Sequence, residues 1–463
     1  MKSSKLFVTI ALLAFGLSPV AWAQQPSDAV ETPSGAGLSL GGAASTDDRV
    51  STQSNPQLTF QEYRLELDAD ARPSEATKFH TEAWIRSAGL APSSLPSTTS
   101  LFSVGSVAPV SLDLREAYFE LNGFIFSIVD LKIGRQRIAW GTADKLNPTD
   151  NVNALDLSDP WDFGRHLGSD GVQLTVYAGD IQITGLAVAQ FTPAVLPSGQ
   201  WANALMPAAI QAPAGMSLAN VTTNVQLPGL DVADSVTAGL KVKGNLLGYD
   251  LSVSYLYGRQ SLPIVDSVVV TPVSMTSINA AAQLVYPREH VFGADLAGSI
   301  VGIGVWAEAA VFIPEKITLT TDLSAVGQGV VQSTALDSTP YVKYVLGGDY
   351  TFPGNVYLNG QFVHGLFQEA GNANLNDYFS VNLDWRLFDE KLKLTPLAFV
   401  FEVKNWSDIP HNYAILAAPS VTIHPMDNAE LVVGFHWIQA TNSTVYGALS
   451  GQNEVFAHAR YSF

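Results

Sequence analysis

The sequence predicts an all-β fold: a transmembrane antiparallel up-and-down β-barrel of about 18 strands. Three observations predict it. The 463 residues carry only 14% charge, roughly half of what soluble domains spend on their surfaces, yet no segment has the ~20 apolar residues of a spanning helix. Apolar residues instead recur at every second position over segments of about 10–13 residues, longer than the ~5–6 of soluble strands and long enough for a tilted membrane strand. The connections then alternate short and long, as they do when one rim of a barrel carries tight turns and the other carries loops. A soluble sandwich would share the alternation but not the strand length or the loop pattern.

Met1–Ala23 precedes the fold. Lys2 and Lys5 form a positive start, Leu6–Leu17 a mostly apolar core, and Ala21-Trp22-Ala23 an A-x-A cleavage site. That is the build of a secretory signal peptide, too short to be a membrane anchor. The expected organisation is a signal peptide over 1–23, a periplasmic tail over 24–35 and the barrel over 36–463. The compartment this implies is the outer membrane of a Gram-negative bacterium.

Period-two reading gives the strands in order. The first five are 36–46, 57–69, 76–88, 111–121 and 125–137. The middle six are 169–178, 181–191, 234–244, 249–259, 289–299 and 302–313. The last seven are 340–352, 355–367, 376–387, 391–404, 412–424, 429–440 and 453–463. In 379–387, Phe379, Val381, Leu383 and Trp385 share one parity, and Asn382, Asp384 and Arg386 the other. Ile303, Val305, Ala307, Ala309 and Val311 likewise oppose Trp306 and Glu308. Both chain ends at one rim require an even count. Eighteen satisfies it; sixteen is the fallback if the Gly-rich first segment is not a strand. Short turns fall at Asn122-Gly123, Gly179-Asp180, 245–248, 353–355, Asp389-Glu390 and 425–428. Longer connections fall at 138–168, 192–233, 260–288, 314–339, 368–375 and 441–452. The last strand ends on Phe463 with Tyr461 two residues before it. This resembles the C-terminal signal that barrel-assembly machinery reads in bacterial outer-membrane proteins.

Composition closes off other functions. With no Cys there is no disulfide scaffold, thiol catalysis or Cys-held metal. A net charge of −18 argues against nucleic acid, which needs a basic face. Gly37-Leu38-Ser39-Leu40-Gly41 matches G-x-S-x-G, but no helix pattern follows, as a nucleophile elbow would need. The eight His are scattered singly. No enzyme activity, cofactor or metal is expected.

One segment carries a family resemblance. Leu114–Leu121 (LREAYFEL), Leu131–Gln136 (LKIGRQ), Ala139–Asp144 (AWGTAD) and the Asp/Asn-rich stretch Asn147–Leu157 resemble a recurrent block of a large porin-like family of Gram-negative outer-membrane barrels. That family includes relatives of alginate-export barrels. The resemblance covers residues 112–160 and implies transport without naming a solute.

The residues of this block also speak for themselves. Arg135 and Arg137 stand where a strand leaves the bilayer, and Trp140 suits an interfacial belt. Asp144, Lys145, Asp150, Asp156, Asp159, Asp162 and Arg165 then crowd into 144–165. Folded inward, such a loop would form a pore constriction, with its acids opposite Lys241 and Lys243. Folded outward, it is a solvated loop pinned by Asx turns and salt bridges. Asp150, Asn151, Asn153 and Asp156 offer oxygen ligands for Ca²⁺ but lack the Gly and terminal Glu of an EF-hand loop.

Two further loops, 192–233 and 260–288, are apolar. Trp201, Leu205, Met206 and Met216 are candidates for an apolar lid, since Met suits adaptable apolar surfaces. The plainer reading is a hairpin beyond the membrane, or loops packed on one another. The expected function is a channel for small solutes, including hydrophobic ones passing the lid. The alternatives are export of an envelope component, a barrel enzyme or an adhesin. Expected partners are outer-membrane lipid and lipopolysaccharide, the assembly machinery and a small-molecule solute. Oligomeric state stays open.

Overall fold

The computed structural model describes residues 37–88, 108–197, 215–229 and 231–463, with isolated positions at 98, 102, 105 and 201. The expected signal peptide and tail lie outside the described residues. Alternating side chains put one apolar parity outward, and the chain closes into a single antiparallel sheet.

The wall begins with β1 (Gly37–Ser51), β2 (Leu58–Ser74), β3 (Thr77–Ala88), β4 (Ser111–Leu121), β5 (Val129–Gln136), β6 (Ser169–Ala178) and β7 (Ile181–Val188). An outer strand, β8 (Ser217–Val225), intervenes. The wall resumes with β9 (Thr237–Leu246) and β10 (Tyr249–Arg259). A second excursion, β11 (Ile264–Ser274) and β12 (Ser277–Val285), leads to β13 (Arg288–Ile300) and β14 (Ile303–Pro314). A third, β15 (Ile317–Asp322) and β16 (Val330–Leu336), precedes β17 (Tyr341–Phe352) and β18 (Val356–His364). The wall ends with β19 (Asp377–Leu387), β20 (Leu392–Val403), β21 (Tyr413–Ala417), β22 (Ser420–Met426), β23 (Ala429–Ala440) and β24 (Glu454–Ser462).

β21 and β22 are two halves of one span. Both pair with β20 and with β23, and the break falls at Pro419, which cannot donate to a ladder. Counted so, eighteen spans close the barrel among the described residues, as the sequence predicts. β1 pairs with β24 over Ala43↔Ser462 to Ser51↔Glu454. The Gly-rich first segment is therefore a wall strand. Gly42 permits the close pairing of β1 with β2: a Cβ there would stand 2.2 Å from the Glu66 carbonyl oxygen.

Parity follows the alternation. In β19, Tyr378, Ser380, Asn382 and Asp384 are buried toward the lumen, while Trp385 is exposed on the outer face. Some expected boundaries move. The strand expected over 125–137 starts only at Val129, because Asn122–Ile128 forms a wide turn.

The larger difference is a second sheet. β16-β15-β11-β12-β8 form a mixed five-stranded sheet beyond the loop rim. Its apolar face buries Val265, Val268, Val270, Ile278, Ala282 and Leu284, with Met216 and Leu218 packed against it. So 264–285 is a hairpin, as the plainer reading of the apolar loops had it, and parts of 192–233 and 314–339 pair with it. Irregular pairing near Asp266 and Pro272 breaks the alternation that would have marked β11.

Candidate functional site

The loop 137–168, between β5 and β6, folds into the lumen and crosses it. Its own residues set its shape. Arg137 binds the Asp150 carboxylate and donates to Asn153 Oδ1 at 3.1 Å. Asn153 Oδ1 also accepts from Ile138 N at 2.6 Å, and its amide donates to Gln136 O and Ser169 Oγ. Asp156 and Asp159 form Asx turns, accepting from Ser158 N at 3.2 Å and Trp161 N at 3.0 Å. The sequence offered an inward loop or a solvated outward loop pinned by its own turns; the loop lies inward and keeps the Asx turns.

One wall holds the far half of the loop through arginines. Arg49 on β1 grips Asp159 with two hydrogen bonds, at 2.8 and 2.6 Å, while also bound to Asp47. Arg115 on β4 pairs with Asp156 at 2.9 Å, and Arg86 on β3 donates to Ser158 Oγ at 3.2 Å. Arg165 lies among Asp162, Asp156, Glu62 and Asp159 at 3.6 to 4.0 Å. The Trp84 ring carries the Arg115 and Arg64 guanidiniums at 4.1 and 4.4 Å. Trp161 stacks on His436 of β23 at 3.8 Å, and His436 stacks on Phe456. Burial disfavours the Asp156 charge, but Arg165, Ser158 and Arg115 outweigh it and hold the carboxyl down at about 2. The Asp159 carboxyl is held low against the same burial, chiefly by Arg49.

The opposite wall holds the near half through one carboxylate. Glu308 on β14, 2% exposed, accepts from Thr149 N at 2.7 Å, Thr149 Oγ1 at 2.8 Å and Thr142 N at 2.9 Å. It also accepts from Ala143 N at 3.1 Å and Asn147 Nδ2 at 3.2 Å. Gly141, at φ +94°, makes room: a Cβ there would lie 2.5 Å from Glu308 Oε2. Next to it, Asp144 exchanges hydrogen bonds with Gln361 through its backbone and accepts from Asn359 Nδ2 at 3.4 Å. Burial raises the Asp144 carboxyl above the ordinary range, Lys145 opposes this, and nearby Asp349 adds to it. Lys145 reaches Asp162 at 3.2 Å. Two apolar clusters seat the loop between these anchors. Ala143, Leu146 and Trp161 pack against Val345, Tyr378 and Ile438, and Ile138, Trp140 and Val152 against Leu186, Val291 and Phe312.

Two expectations need correction. Arg135 is not in the lumen. Gln136, fully buried, takes the inward position, so period two turns Arg135 outward, where it pairs with Asp170 at 2.5 Å. Lys241 and Lys243 do not face the loop acids. They pair with wall acids on β13 and β10, Asp295 at 3.4 Å and Asp250 at 3.2 Å. Of the oxygens weighed for Ca²⁺, those of Asp150 are engaged by Arg137, one of Asp156 by Arg115, and that of Asn153 by Arg137 and Ile138 N.

Of the lid residues, Trp201 meets Trp161 and Tyr446 edge-on at 5.8 and 6.3 Å, and so packs on the luminal core. Met216 belongs to the outer sheet. Leu205 and Met206 lie outside the described residues. Tyr461 and Phe463 are exposed on the seam strand. The Gly37–Gly41 motif is extended within β1 and paired with β2. The sequence reading missed Arg49, Arg86, Arg115 and Glu308 as partners of the loop. Charges at inward parity were the available signal.

Above the loop, a vestibule of about 810 Å³ opens toward the outer sheet. Its lining mixes Leu146, Phe163, Leu262 and Leu366 with Lys145, Lys343 and Glu369.

No protein-family model matches the sequence, and no curated protein matches it. Among solved structures, the chain is similar to OccAB1 of Acinetobacter baumannii: 9% identity, covering 92% of this chain and 96% of that one, TM-score 0.47. It is similar to OmpF of Salmonella typhi, solved in complex with daunomycin, at 8% identity over 93% and 99% of the two chains, TM-score 0.41. It is also similar to OmpT, an outer membrane protein of Vibrio cholerae, at 10% identity over 94% and 99%, TM-score 0.40.

Proposed function

We propose that the chain is a Gram-negative outer-membrane channel of the porin kind, passing small solutes by diffusion and performing no catalysis. One observation carries the reading: the loop 137–168 crosses the lumen and is fastened to both walls. A barrel of 18 strands is wide enough for an aqueous passage, and an inward loop narrows it to a size and charge that select. Asp144, with Asp349 and Asn359 beside it, is the acid of this loop proposed to face permeating ions. The turn rim faces the periplasm in this reading, and the outer sheet faces the medium. Labelling of whole cells checks this: single cysteines at 327–329 should react and those at 353–355 should not.

The apolar part of the vestibule lining favours amphipathic solutes over strongly hydrophilic ones. Export of an envelope component, which the likeness over 112–160 raises, differs in direction. The test is reconstitution: ion conductance in planar bilayers, then liposome-swelling rates for a graded series of neutral and amphipathic solutes. No conductance above the lipid background would overturn the channel reading.

A further inference from the structure

Two turns of the turn rim break the usual residue rule. Leu246 pairs with Tyr249 and Ile300 with Ile303, so Leu247-Gly248 and Val301-Gly302 are two-residue hairpins. Both residues of each are left-handed, at φ +56° and +84°, and +53° and +82°. The first position of such a turn is the province of Asn, Asp and Gly. Leucine is strained there, and β-branched valine is an outlier. Neither side chain recovers contacts within the protein: Leu247 is 90% and Val301 95% exposed.

The two turns are neighbours, because β10 pairs with β13. Beside them, the outward face of the wall holds a groove of about 850 Å³. Ala294, Ala307 and Ala309 form its floor; Val253 on one side and Leu346 on the other stand above it. Leu246, Ile300 and Ile303, each exposed, join the groove to the turn tips. The surface is apolar from mid-wall to tip. Of the other tips of the same rim, Glu75, Asp180 and Asp427 are charged, while Ile125, Phe126 and Phe388 are also apolar and exposed.

We propose that this sector is a lipid-binding foot. Leu247 and Val301 enter the acyl region of the adjoining leaflet, and one acyl chain of a phospholipid lies in the alanine groove. The occupant follows from continuity: groove and tips extend the lipid-facing band without a polar break, and strained apolar residues are useful at a tip only where water is absent. The inference rests on the barrel spanning a bilayer, not on its being a channel.

The chain has no Cys, so single-cysteine nitroxides can be placed by Leu247→Cys, Val301→Cys, Glu75→Cys and Asp427→Cys, with Leu383→Cys as a mid-wall reference. In phosphatidylcholine vesicles, labels at 247 and 301 should collide mainly with oxygen, and those at 75 and 427 with a water-soluble nickel chelate. If 247 and 301 read as water while 383 reads as lipid, the foot is overturned. If 383 also reads as water, the membrane reading itself has failed and the foot with it. The double variant Leu247→Asn, Val301→Asn supplies the favoured Asn-Gly turns. It should fold in detergent at least as well as wild type but insert into vesicles several-fold less; undiminished insertion would refute the anchoring. Ala307→Phe fills the groove and should lower the immobile fraction of a spin-labelled phospholipid. An unchanged fraction would remove the acyl-chain site.

Discussion

Replacing Glu308 by Gln changes one oxygen into an amide group, yet it strikes the point where the loop meets the β14 wall. Oε2 accepts from Thr142 N, Ala143 N and Asn147 Nδ2; Oε1 accepts from Thr149 N and Oγ1. The less costly placement of the new amide is at Oε1, where the Thr149 hydroxyl can turn to accept. Thr149 N then loses its acceptor, at about 1–3 kcal/mol, and the remaining bonds fall from charged to neutral strength. A net loss of about 3 kcal/mol is a shift of roughly two decades in docking of 141–149, at about 1.4 kcal/mol per decade. The Arg49–Asp159 and Arg115–Asp156 pairs are untouched, so the far half should stay docked. Single-channel recording should show larger and noisier conductance for Glu308→Gln, and more so for Glu308→Ala, with the folded yield nearly unchanged. Gly141→Ala, which drives a methyl group into the same carboxylate, should copy the effect from the loop side. Wild-type conductance and noise in both variants would refute the claim that the loop limits the passage.

Asp144→Asn should reduce cation preference, read as reversal potential under a salt gradient. Because burial raises the Asp144 carboxyl, the wild-type preference should be full above that raised value and fade as pH falls through it, earlier than for an ordinary Asp; the variant should lack this step. Leu383→Arg should cut the yield of folded barrel far more than Asp384→Arg, since a mid-wall Arg facing lipid costs about 2–4 kcal/mol, and gel-shift folding assays would expose equal losses. Arg135→Ala should leave conductance and selectivity unchanged, because its partner Asp170 is also on the outer face; a selectivity change would reopen its placement.

The wall was legible because each of its strands answers to lipid on one side and to the lumen on the other, which forces a strict alternation. The 379–387 segment is an example, and its parity places Asp384 inward. The outer sheet answers to neither. Its strands bury one face against each other and tolerate a proline and a bulge in β11, so the pattern that found β19 passes over it. In the loop, clustered charge marked 144–165 as unusual. The partners could not be read from that cluster, because Arg49 and Glu308 lie about a hundred or more residues away in sequence. The loop's direction was legible only in part, since Asx turns and ion pairs suit either side of the rim. Arg135 and Arg137 flank Gln136, but Arg135 is still in the wall and turned outward while Arg137 has entered the loop and binds Asp150, a difference their shared parity could not show.

The seam between β1 and β24 has a consequence for when the barrel can form. Gly42 N donates to Phe463 O at 3.0 Å, and Phe463 N to Gly42 O at 2.9 Å. Phe463 is thus bonded to a residue near the start of the described wall, hundreds of positions away in sequence. Hairpins such as β13–β14 close locally and can wait, half-built, with their neighbours. The seam cannot, because until β1 and β24 meet two unpaired edges remain, each with a row of bare amides and carbonyls. Closure therefore depends on the pairing of largest sequence separation in the wall, the kind of contact that forms slowly. Removing Phe463 takes away a pair of bonds at the rim where the ends must first align.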